Sequence, residues 1–197
     1  MESQINSLET RIEKMQERFN KDLEEIKKNQ SIMNHAINEI KNTLEETNRI
    51  TEAFKQLAKK LAGDGEGATK LLICTVTGAK TKKDAVMVSK SVICSSLLKA
   101  AMFGADANWG RVLCAVGYSG ADVDVTKVDV DFKSVKGEIA VCRNGAGIEF
   151  SEEKAKEILL EKEIEILVNV GDGEGKAQAY GCDLTYDYVK INGDYRT

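Results

Sequence analysis

The chain has 197 residues, a formal net charge of −4 at pH 7, 42% hydrophobic residues and 30% charged residues. This length allows one domain of ordinary size with an appendage. The mild negative charge gives no general attraction to nucleic acid or to an anionic membrane, and no apolar run approaches the roughly 20 residues of a membrane span. The polar N-terminus, with Glu2 and Glu9, also differs from a signal or transit peptide.

The cysteines are scattered along the chain, and no two of them form a Cys-x-x-Cys pair. They are Cys74, Cys94, Cys114, Cys142 and Cys182. The only histidine, His35, is distant from all of them in sequence. Zinc sites need clustered Cys and His ligands, so the sequence predicts no metal site, and no motif indicates a cofactor. We expect reduced, largely buried thiols in a cytoplasmic compartment.

Residues 1–62 contain no glycine and carry apolar residues in a heptad pattern. With Ile5 at position a, the a residues are Ile5, Ile12, Phe19, Ile26, Met33, Ile40 and Thr47. The d residues are Leu8, Met15, Asp22, Asn29, Ala36, Thr43 and Ile50. Because position d is partly polar, this seam predicts a coiled coil that is less stable but more specific in register than a pure Ile/Leu seam. Acidic and basic residues are equally numerous through Lys60, so the outer face is a solvated surface rather than a nucleic-acid stripe.

The pattern changes after the long helix, and strands and helices then alternate. Residues 71–77 are apolar and predict a buried strand that ends at Gly78. Residues 82–102 carry apolar residues at helical spacing and predict one helix. Residues 104–111 predict a loop, which leads into a short apolar segment ending near Tyr118.

Two strand pairs are predicted in the rest of the chain. Residues 128–132 and 138–142 alternate in the manner of a hairpin. Residues 164–170 and 177–183 predict a second pair. The glycine-rich stretch between them, residues 171–175, predicts the hairpin turn that would join them.

Two short helices complete the predicted domain. Ser151 is a good N-cap for a helix over residues 152–160, whose first turn holds Glu152 and Glu153. Residues 186–191 predict the second short helix. Strands and helices in this order predict a sheet covered by helices, which is an α/β or α+β layered domain.

The segment Gly63-Asp64-Gly65-Glu66-Gly67-Ala68-Thr69-Lys70 joins the long helix to the first strand. Alternating glycines allow positive φ angles and close approach to a ligand, whereas a helix C-cap with a turn is the alternative interpretation.

The order Thr-Lys excludes a P-loop, and the missing upstream strand excludes a dinucleotide-binding loop. Thr69 and Lys70 are a weak nucleophile–base pair because adjacent strand residues point to opposite faces. Glu66 is the candidate carboxylate for a substrate ammonium group, in a pairing that is strong only where water is excluded.

Three segments of the chain resemble one enzyme family. They are the glycine-rich segment just described, the run Phe103-Gly104-Ala105-Asp106-Ala107-Asn108-Trp109-Gly110-Arg111, and the tail Tyr188-Val189-Lys190-Ile191-Asn192-Gly193-Asp194-Tyr195-Arg196-Thr197. Together they are similar to the bifunctional ornithine acetyltransferase/N-acetylglutamate synthase of arginine biosynthesis, over residues 51–197. The resemblance implies an acyltransferase that moves an acetyl group from N-acetylornithine to glutamate through an acyl-enzyme.

The resemblance also implies which residues bind the substrate. Glu66 matches the loop glutamate of the family, and Asn192 and Thr197 match the asparagine and the terminal threonine of its tail. Such groups position the substrate rather than make or break bonds. A frayed tail is the alternative interpretation of Asn192 and Thr197.

The family's nucleophile has no match in this sequence. The family cleaves itself at an Ala-Thr bond within a motif reading about His-Pro-Asn-Met-Ala-Thr, and the freed threonine of the β chain is the nucleophile. This chain has no proline and no such motif. The resemblance therefore implies no catalytic residue here and an inactive isolated chain, whose missing partners are the α chain and the N-terminal part of the β chain.

The first fifty residues resemble a different protein. The segments Phe19-Asn20-Lys21-Asp22-Leu23-Glu24-Glu25-Ile26-Lys27-Lys28-Asn29-Gln30 and Asn38-Glu39-Ile40-Lys41-Asn42-Thr43-Leu44-Glu45 are similar to the coiled coil of the first open-reading-frame protein of mammalian long interspersed elements. That family forms trimers through its coiled coil, and binds RNA through later domains that are not found here. A homo-oligomer is therefore expected, and RNA binding is not.

The sequence thus predicts three parts. They are a coiled-coil helix over residues 1–50, a helical junction over residues 51–62 and an acetyltransferase β-chain domain over residues 63–197. The two resemblances meet between residues 49 and 54, through either a fusion transcript or an error of gene assembly. The alternative function is a coiled-coil oligomerisation protein that carries a passenger domain.

Overall fold

The computed structural model of the chain describes residues 2–194, with the side chains of Asn6 and of residues 10–194. The chain divides into two units, Met1–Phe54 and Lys55–Thr197. Helix α1 spans Glu2–Gly63, so it provides all the described structure of the first unit and the beginning of the second.

Helix α1 confirms the helix predicted from the heptad pattern. It ends where glycine first appears, and the Asp64 backbone N–H donates to the Lys60 carbonyl at 3.1 Å across the last turn. Its apolar side chains are exposed to solvent in this single chain; among them are Ile12, Met15, Phe19, Ile26, Met33, Ile40 and Ile50. The pairing of this helix with another copy stays a prediction.

Among residues 2–194, six strands form one sheet in the second unit. They are β1 (Leu71–Ala79), β2 (Asp129–Ser134), β3 (Gly137–Arg143), β4 (Ala146–Gly147), β5 (Glu163–Asn169) and β6 (Gly175–Cys182). Their order across the sheet is β4-β3-β2-β5-β1-β6. Strands β1 and β5 are parallel, and all other neighbouring pairs are antiparallel. The predicted strand positions and the β2–β3 hairpin are confirmed.

Strands β5 and β6 are not neighbours, so the predicted second strand pair and its hairpin turn are wrong. Strand β1 lies between them and pairs with both. The connection over residues 171–175 therefore crosses the end of β1, where the Gly173 N–H donates to the Gly78 carbonyl at 3.0 Å. A Cβ atom on Gly173 would lie 2.1 Å from the Ala79 carbonyl oxygen. The glycine permits this close crossing rather than a hairpin turn.

In the described part of the chain, five further helices follow α1. They are α2 (Lys82–Cys94), α3 (Ser96–Phe103), α4 (Trp109–Gly117), α5 (Glu152–Leu159) and α6 (Tyr186–Asp194), with one 3₁₀ turn at Val125–Lys127. The two short helices predicted at residues 152–160 and 186–191 are confirmed as α5 and α6. The Ser151 hydroxyl caps α5 as predicted, accepting from the Lys154 N–H at 3.2 Å.

The single helix predicted over residues 82–102 is in fact two helices. Ser95 has an extended backbone with φ −67° and ψ 109°, and α2 and α3 are bent by 56° at this point. The Ser95 N–H donates to the Val92 carbonyl, and its hydroxyl accepts from the Leu98 N–H. Serine competes in this way with the backbone hydrogen bonds of a continuous helix, so apolar spacing alone does not reveal the break.

The loop predicted over residues 104–111 is shorter than expected. The apolar segment after it forms α4, which begins at Trp109. The Asn108 side-chain oxygen accepts from the Arg111 N–H at 3.2 Å and caps the helix. An N-cap asparagine of this kind satisfies one of the free amides at the start of a helix.

The core of the second unit lies on one face of the sheet. Ile164, Ile166 and Val168 alternate along β5 and are buried, as is Phe132 on β2. Helix α2 packs across β1 and β6, and α5 packs across β2 and β3. The predicted α/β layered domain is confirmed, and the glycine-rich loop leads directly into its strand β1.

No single helix in the described residues is long and apolar enough to cross a membrane. The bent pair α2–α3 has the length and composition, but its apolar side chains are largely buried in the core.

The thiols are less buried than predicted. Cys74 and Cys142 are buried and Cys182 is half-buried, whereas Cys94 and Cys114 are exposed. Among the side chains that the structure describes, those of Asn6 and residues 10–194, no three His, Cys, Asp or Glu side chains group as ligands for a metal ion.

Candidate functional site

The loop over residues 63–70, whose first residue is the last residue of α1, leads into β1 and is folded against the start of α6. Its turn is closed by the Ala68 N–H, which donates to the Gly65 carbonyl at 2.9 Å. Gly67 has φ +67°, and a Cβ atom there would lie 2.9 Å from the Tyr188 nitrogen. Only glycine combines this left-handed conformation with such close approach. The interpretation as a simple helix cap therefore covers only the first residues of the loop.

Asp183, at the end of β6, anchors the second half of this loop. Its carboxylate accepts hydrogen bonds from the Thr69 N–H at 2.8 Å, the Thr69 hydroxyl at 2.5 Å and the Lys70 N–H at 3.0 Å. The Asp183 side chain is buried. Three donors compensate for the cost of burying this carboxylate.

Lys70 has a structural role that its position next to Thr69 does not suggest. Its ammonium group donates to the Met102 carbonyl at 2.6 Å and to the Phe103 carbonyl at 3.4 Å, at the C-terminal end of α3. Burial lowers the pKa of Lys70, and the nearby negative charge of Asp183 raises it by a smaller amount. A cation at the end of a helix satisfies free carbonyls and complements the helix dipole. The Thr69 hydroxyl is bonded to Asp183, so Thr69 and Lys70 do not form a nucleophile–base pair.

Thr185 connects the first half of the loop to α6. Its hydroxyl donates to the Gly67 carbonyl at 2.7 Å and accepts from the Tyr188 N–H at 3.2 Å. The second contact is the usual N-cap bond to the third residue of a helix. Beside it, the rings of Phe103 and Tyr186 meet edge to face with their centroids 5.4 Å apart.

Two of the predicted substrate residues lie side by side. The Asn192 side-chain amide donates to Glu66 Oε2 at 3.1 Å, although 126 positions separate them in the sequence, and it also donates to the Tyr188 carbonyl at 2.9 Å. Both side chains are exposed. Thr197, the third predicted residue, lies outside the described residues. The substrate-binding role of all three stays a prediction.

The run that follows Phe103 is a local scaffold rather than part of this pair. Asn108 donates to the Asp106 carboxylate at 3.0 Å in addition to capping α4. Arg111 donates to the Leu97 carbonyl at 2.6 Å and so joins α4 to α3. Trp109 packs so closely on β4 that a Cβ atom on Gly147 would lie 2.4 Å from its ring.

Sequence reasoning missed Asp183 and Thr185. The available signal was weak but present: Thr185 precedes Tyr186-Asp187-Tyr188, and a threonine before an acidic first turn is typical of a helix N-cap. Asp183 had no local signal, because its partners are 113 and 114 positions away in the sequence.

The arrangement provides a carboxylate and an amide at the surface, held on a tightly anchored loop and a short helix. A carboxylate accepts hydrogen bonds from an ammonium group, and an amide both donates and accepts. The fold is an α/β domain, and Glu66 and Asn192 form an exposed hydrogen-bonded pair on its surface. The ArgJ family model matches residues 27–197, and the chain belongs to this family.

The similar proteins agree with this assignment. The chain is 59% identical over 143 residues to the arginine biosynthesis bifunctional protein ArgJ of Caldanaerobacter subterraneus subsp. tengcongensis, which covers 73% of this chain and 36% of that protein. It is 47% identical over 148 residues to the glutamate N-acetyltransferase of Methanopyrus kandleri, covering 75% of this chain and 38% of that protein. The chain thus spans little more than a third of the length of these curated relatives.

A solved structure gives the same result for the fold. The crystal structure of the arginine biosynthesis bifunctional protein argJ from Bacillus halodurans superposes with a TM-score of 0.71 at 45% sequence identity. The match covers 75% of this chain and 68% of that chain. The predicted family is therefore confirmed. The resemblance of residues 1–50 to a retrotransposon coiled coil stays a prediction, and the family match begins inside that segment, at residue 27.

Proposed function

We propose that this chain forms part of the substrate site of a glutamate N-acetyltransferase/ornithine acetyltransferase of arginine biosynthesis. In this proposal the Glu66 carboxylate binds the amino group of N-acetylornithine or ornithine. Asn192 orients that carboxylate, and Thr197 adds a hydroxyl. The observation that supports it best is the hydrogen bond from Asn192 to Glu66 at 3.1 Å, because it unites two residues that the resemblance selects independently.

A titration of the purified chain with L-ornithine tests the binding site. We expect Glu66→Gln to weaken binding by about tenfold, since a hydrogen bond to a charged group contributes roughly 1.5–3 kcal/mol and an exposed site lies at the low end. Glu174→Gln is the matched control, because residues 171–175 have the same sequence, Gly-Asp-Gly-Glu-Gly, as residues 63–67 around Glu66. Equal effects of the two substitutions would contradict a specific role for Glu66.

We also propose that the 197-residue polypeptide does not transfer acetyl groups by itself. The sequence holds no proline and no His-Pro-Asn-Met-Ala-Thr motif, and transfer would need the family's α chain and the N-terminal part of its β chain as partners. The test is an assay of acetyl transfer from N-acetylornithine to glutamate by the purified polypeptide. Measurable acetyl transfer that Thr69→Ala abolishes would contradict this proposal.

A second candidate function, self-association through α1, is favoured by the exposed apolar side chains of that helix. Phe19 and Ile40 are each 68% exposed, which is unusual for large apolar side chains repeated along one helix. The same heptad positions continue beyond Ile50, since Phe54 and Leu61 fall at position a and Leu57 at position d. These three side chains are also exposed, at 67%, 72% and 54% respectively. A dimer or trimer would bury such a seam.

Sedimentation equilibrium of the full chain tests this second function. We expect wild type to form a dimer or trimer, and the double variant Ile26→Asn/Ile40→Asn to shift it to monomer. The control is Lys28→Asn/Lys41→Asn, which places the same new side chain off the seam. A monomeric wild-type chain, or equal loss of assembly in both variants, would contradict assembly through this seam.

We also propose a position for the boundary between the two resemblances. We place it between residues 49 and 54, with residues 1–50 as a retrotransposon-derived coiled coil in a cytoplasmic protein. Transcript and genomic sequence across this point test the proposal. A continuous reading frame without retrotransposon sequence upstream of residue 49 would contradict it.

A further inference from the structure

We infer that Thr185 and Asp183 are positioning residues that hold the loop over residues 63–70 and helix α6 together, so that Glu66 and Asn192 bind as one unit. The inference rests on the proposed substrate site for its functional meaning. Its structural part, the coupling of two chain segments, stands on contacts that do not involve the substrate residues.

Helix α6 needs such a coupling because it has little packing of its own. None of its residues is buried, and Tyr186 and Val189 are 82% and 63% exposed. Packing of an apolar face supplies most of the stability of helices in proteins. The position of Asn192 therefore depends on the few contacts at the start of the helix.

The Thr185 hydroxyl makes the central contact. It donates to the Gly67 carbonyl at 2.7 Å, in the residue directly after Glu66, and it accepts from the Tyr188 N–H at 3.2 Å in the first turn of α6. A hydroxyl has one proton and two lone pairs, so it can make both bonds at once. Thr185 is 4% exposed, and water has little access to either bond.

Asp183 holds the same loop from its other side. Its buried carboxylate accepts hydrogen bonds from the backbone N–H groups of Thr69 and Lys70, two and three residues beyond Gly67. Asp183 and Thr185 thus form hydrogen bonds with the loop on both sides of Ala68. Gly67 completes the fit, because a Cβ atom there would come within 3.0 Å of the Asp187 Cβ and 2.9 Å of the Tyr188 nitrogen.

The arrangement has a direct consequence for the candidate site. Glu66 and Asn192 share a single direct hydrogen bond and are both exposed, so water competes with that bond. The buried contacts of Thr185 and Asp183 fix the backbones on which both side chains stand. Pre-organisation of this kind improves ligand binding, because less ordering remains to be done when the ligand arrives.

Hydrogen–deuterium exchange of the full chain, together with a titration with L-ornithine, tests the inference. The variant Thr185→Val removes the hydroxyl at nearly constant shape, and Thr185→Ser restores it. We expect Thr185→Val to speed amide exchange about tenfold in both the 63–70 loop and α6, without change in β5, and to weaken ornithine binding several-fold. Thr185→Ser should return both readouts to the wild-type values.

Two outcomes would overturn the coupling: faster exchange in α6 alone would reduce Thr185 to an N-cap, and unchanged exchange in both segments would remove its role. Faster exchange in both segments with unchanged ornithine binding would support the coupling but overturn its role in binding. Should Thr185→Val fail to fold, Gly67→Ala disturbs the same contact from the loop side and is judged by the same readouts.

Glu66→Gln distinguishes failure of this inference from failure of the proposed function. We expect it to weaken ornithine binding while leaving exchange unchanged in both segments. If neither wild type nor Glu66→Gln binds ornithine, the proposed substrate is wrong, and the exchange of Thr185→Val by itself then supports or overturns the coupling.

Discussion

The two units of this chain use their apolar residues in opposite ways. In the second unit, here called the sheet domain, Phe132 and Ile166 are fully buried, whereas Phe19 and Ile40 of α1 are each 68% exposed. The sheet domain packs most of its large apolar side chains into a core formed within one chain. The described part of the first unit is a single helix, which has no interior of its own, and its large apolar side chains are exposed. The same residue type therefore has a different energetic role in each unit.

The largest expected effect compares two phenylalanines. Phe132→Ala should lower the free energy of unfolding of the sheet domain by about 3–5 kcal/mol, because it leaves a cavity in a packed core. Phe19→Ala should leave that free energy within about 0.5 kcal/mol of wild type, since exposed positions contribute little within one chain. The fluorescence of Trp109, the only tryptophan, reports unfolding of the sheet domain alone.

Self-association provides the reverse test of the same pair. In sedimentation experiments Phe19→Ala should weaken assembly, and Phe132→Ala should leave it unchanged under conditions where its sheet domain is folded. If Phe19→Ala lowers the unfolding midpoint seen by Trp109 as strongly as Phe132→Ala does, the contrast between the units is wrong.

A second, smaller effect concerns two glycines within the sheet domain. Gly67→Ala should destabilise the domain by about 1–2 kcal/mol, because alanine is strained at φ +67° and its Cβ meets the Tyr188 nitrogen. Gly193→Ala is the matched control inside α6, where a Cβ atom would meet nothing within 4 Å. There the higher helix propensity of alanine should stabilise α6 by up to about 1 kcal/mol.

Urea unfolding measures the first of these substitutions, and the helix content of α6 from hydrogen exchange measures the second. If both substitutions change stability in the same direction, the close contact of Gly67 with α6 does not require glycine.

The sequence predicted the parts of the fold whose signals are local. Ser151 was identifiable as an N-cap because the cap and the acidic first turn of α5 are adjacent in sequence. The β2–β3 hairpin was identifiable because its two strands alternate on either side of a short turn. Ser95 was missed because its competition with the helix backbone depends on side-chain geometry, and apolar spacing continues on both sides of it.

The arrangement of β5, β1 and β6 could not be predicted, because strand pairing is a long-range property. The glycines of residues 171–175 predicted a hairpin turn, and nothing local in the sequence indicates that this connection crosses the end of β1 instead. The candidate site shows the same division. The carboxylate of Glu66 and its glycine neighbours suggested an amine site, and resemblance to a family selected Asn192. The anchors Asp183 and Thr185 emerged only when residues more than 110 positions apart came together.

The smallest expected effect compares two lysines whose pKa values shift in opposite directions. Burial lowers the pKa of Lys70 below 10.5, and the hydrogen bond to Asp122 raises the pKa of the exposed Lys80 above 10.5. Between the lowered pKa of Lys70 and 10.5, the unfolded chain binds more protons at this residue than the folded chain. Stability from Lys70 therefore rises with pH in that window. Lys80 stabilises the fold fully below 10.5, and its contribution is lost as the pH rises through its raised pKa.

Unfolding of wild type, Lys70→Met and Lys80→Met as a function of pH separates the two contributions. The free energy of unfolding of wild type, relative to that of Lys70→Met, should increase with pH below pH 10.5 and stay constant above it. The free energy of unfolding of wild type, relative to that of Lys80→Met, should stay constant below pH 10.5 and decrease as the pH rises above it. A flat difference for Lys70→Met would mean that its ammonium group is solvated in the folded chain. In that case its bonds to the Met102 and Phe103 carbonyls would not hold the loop against α3.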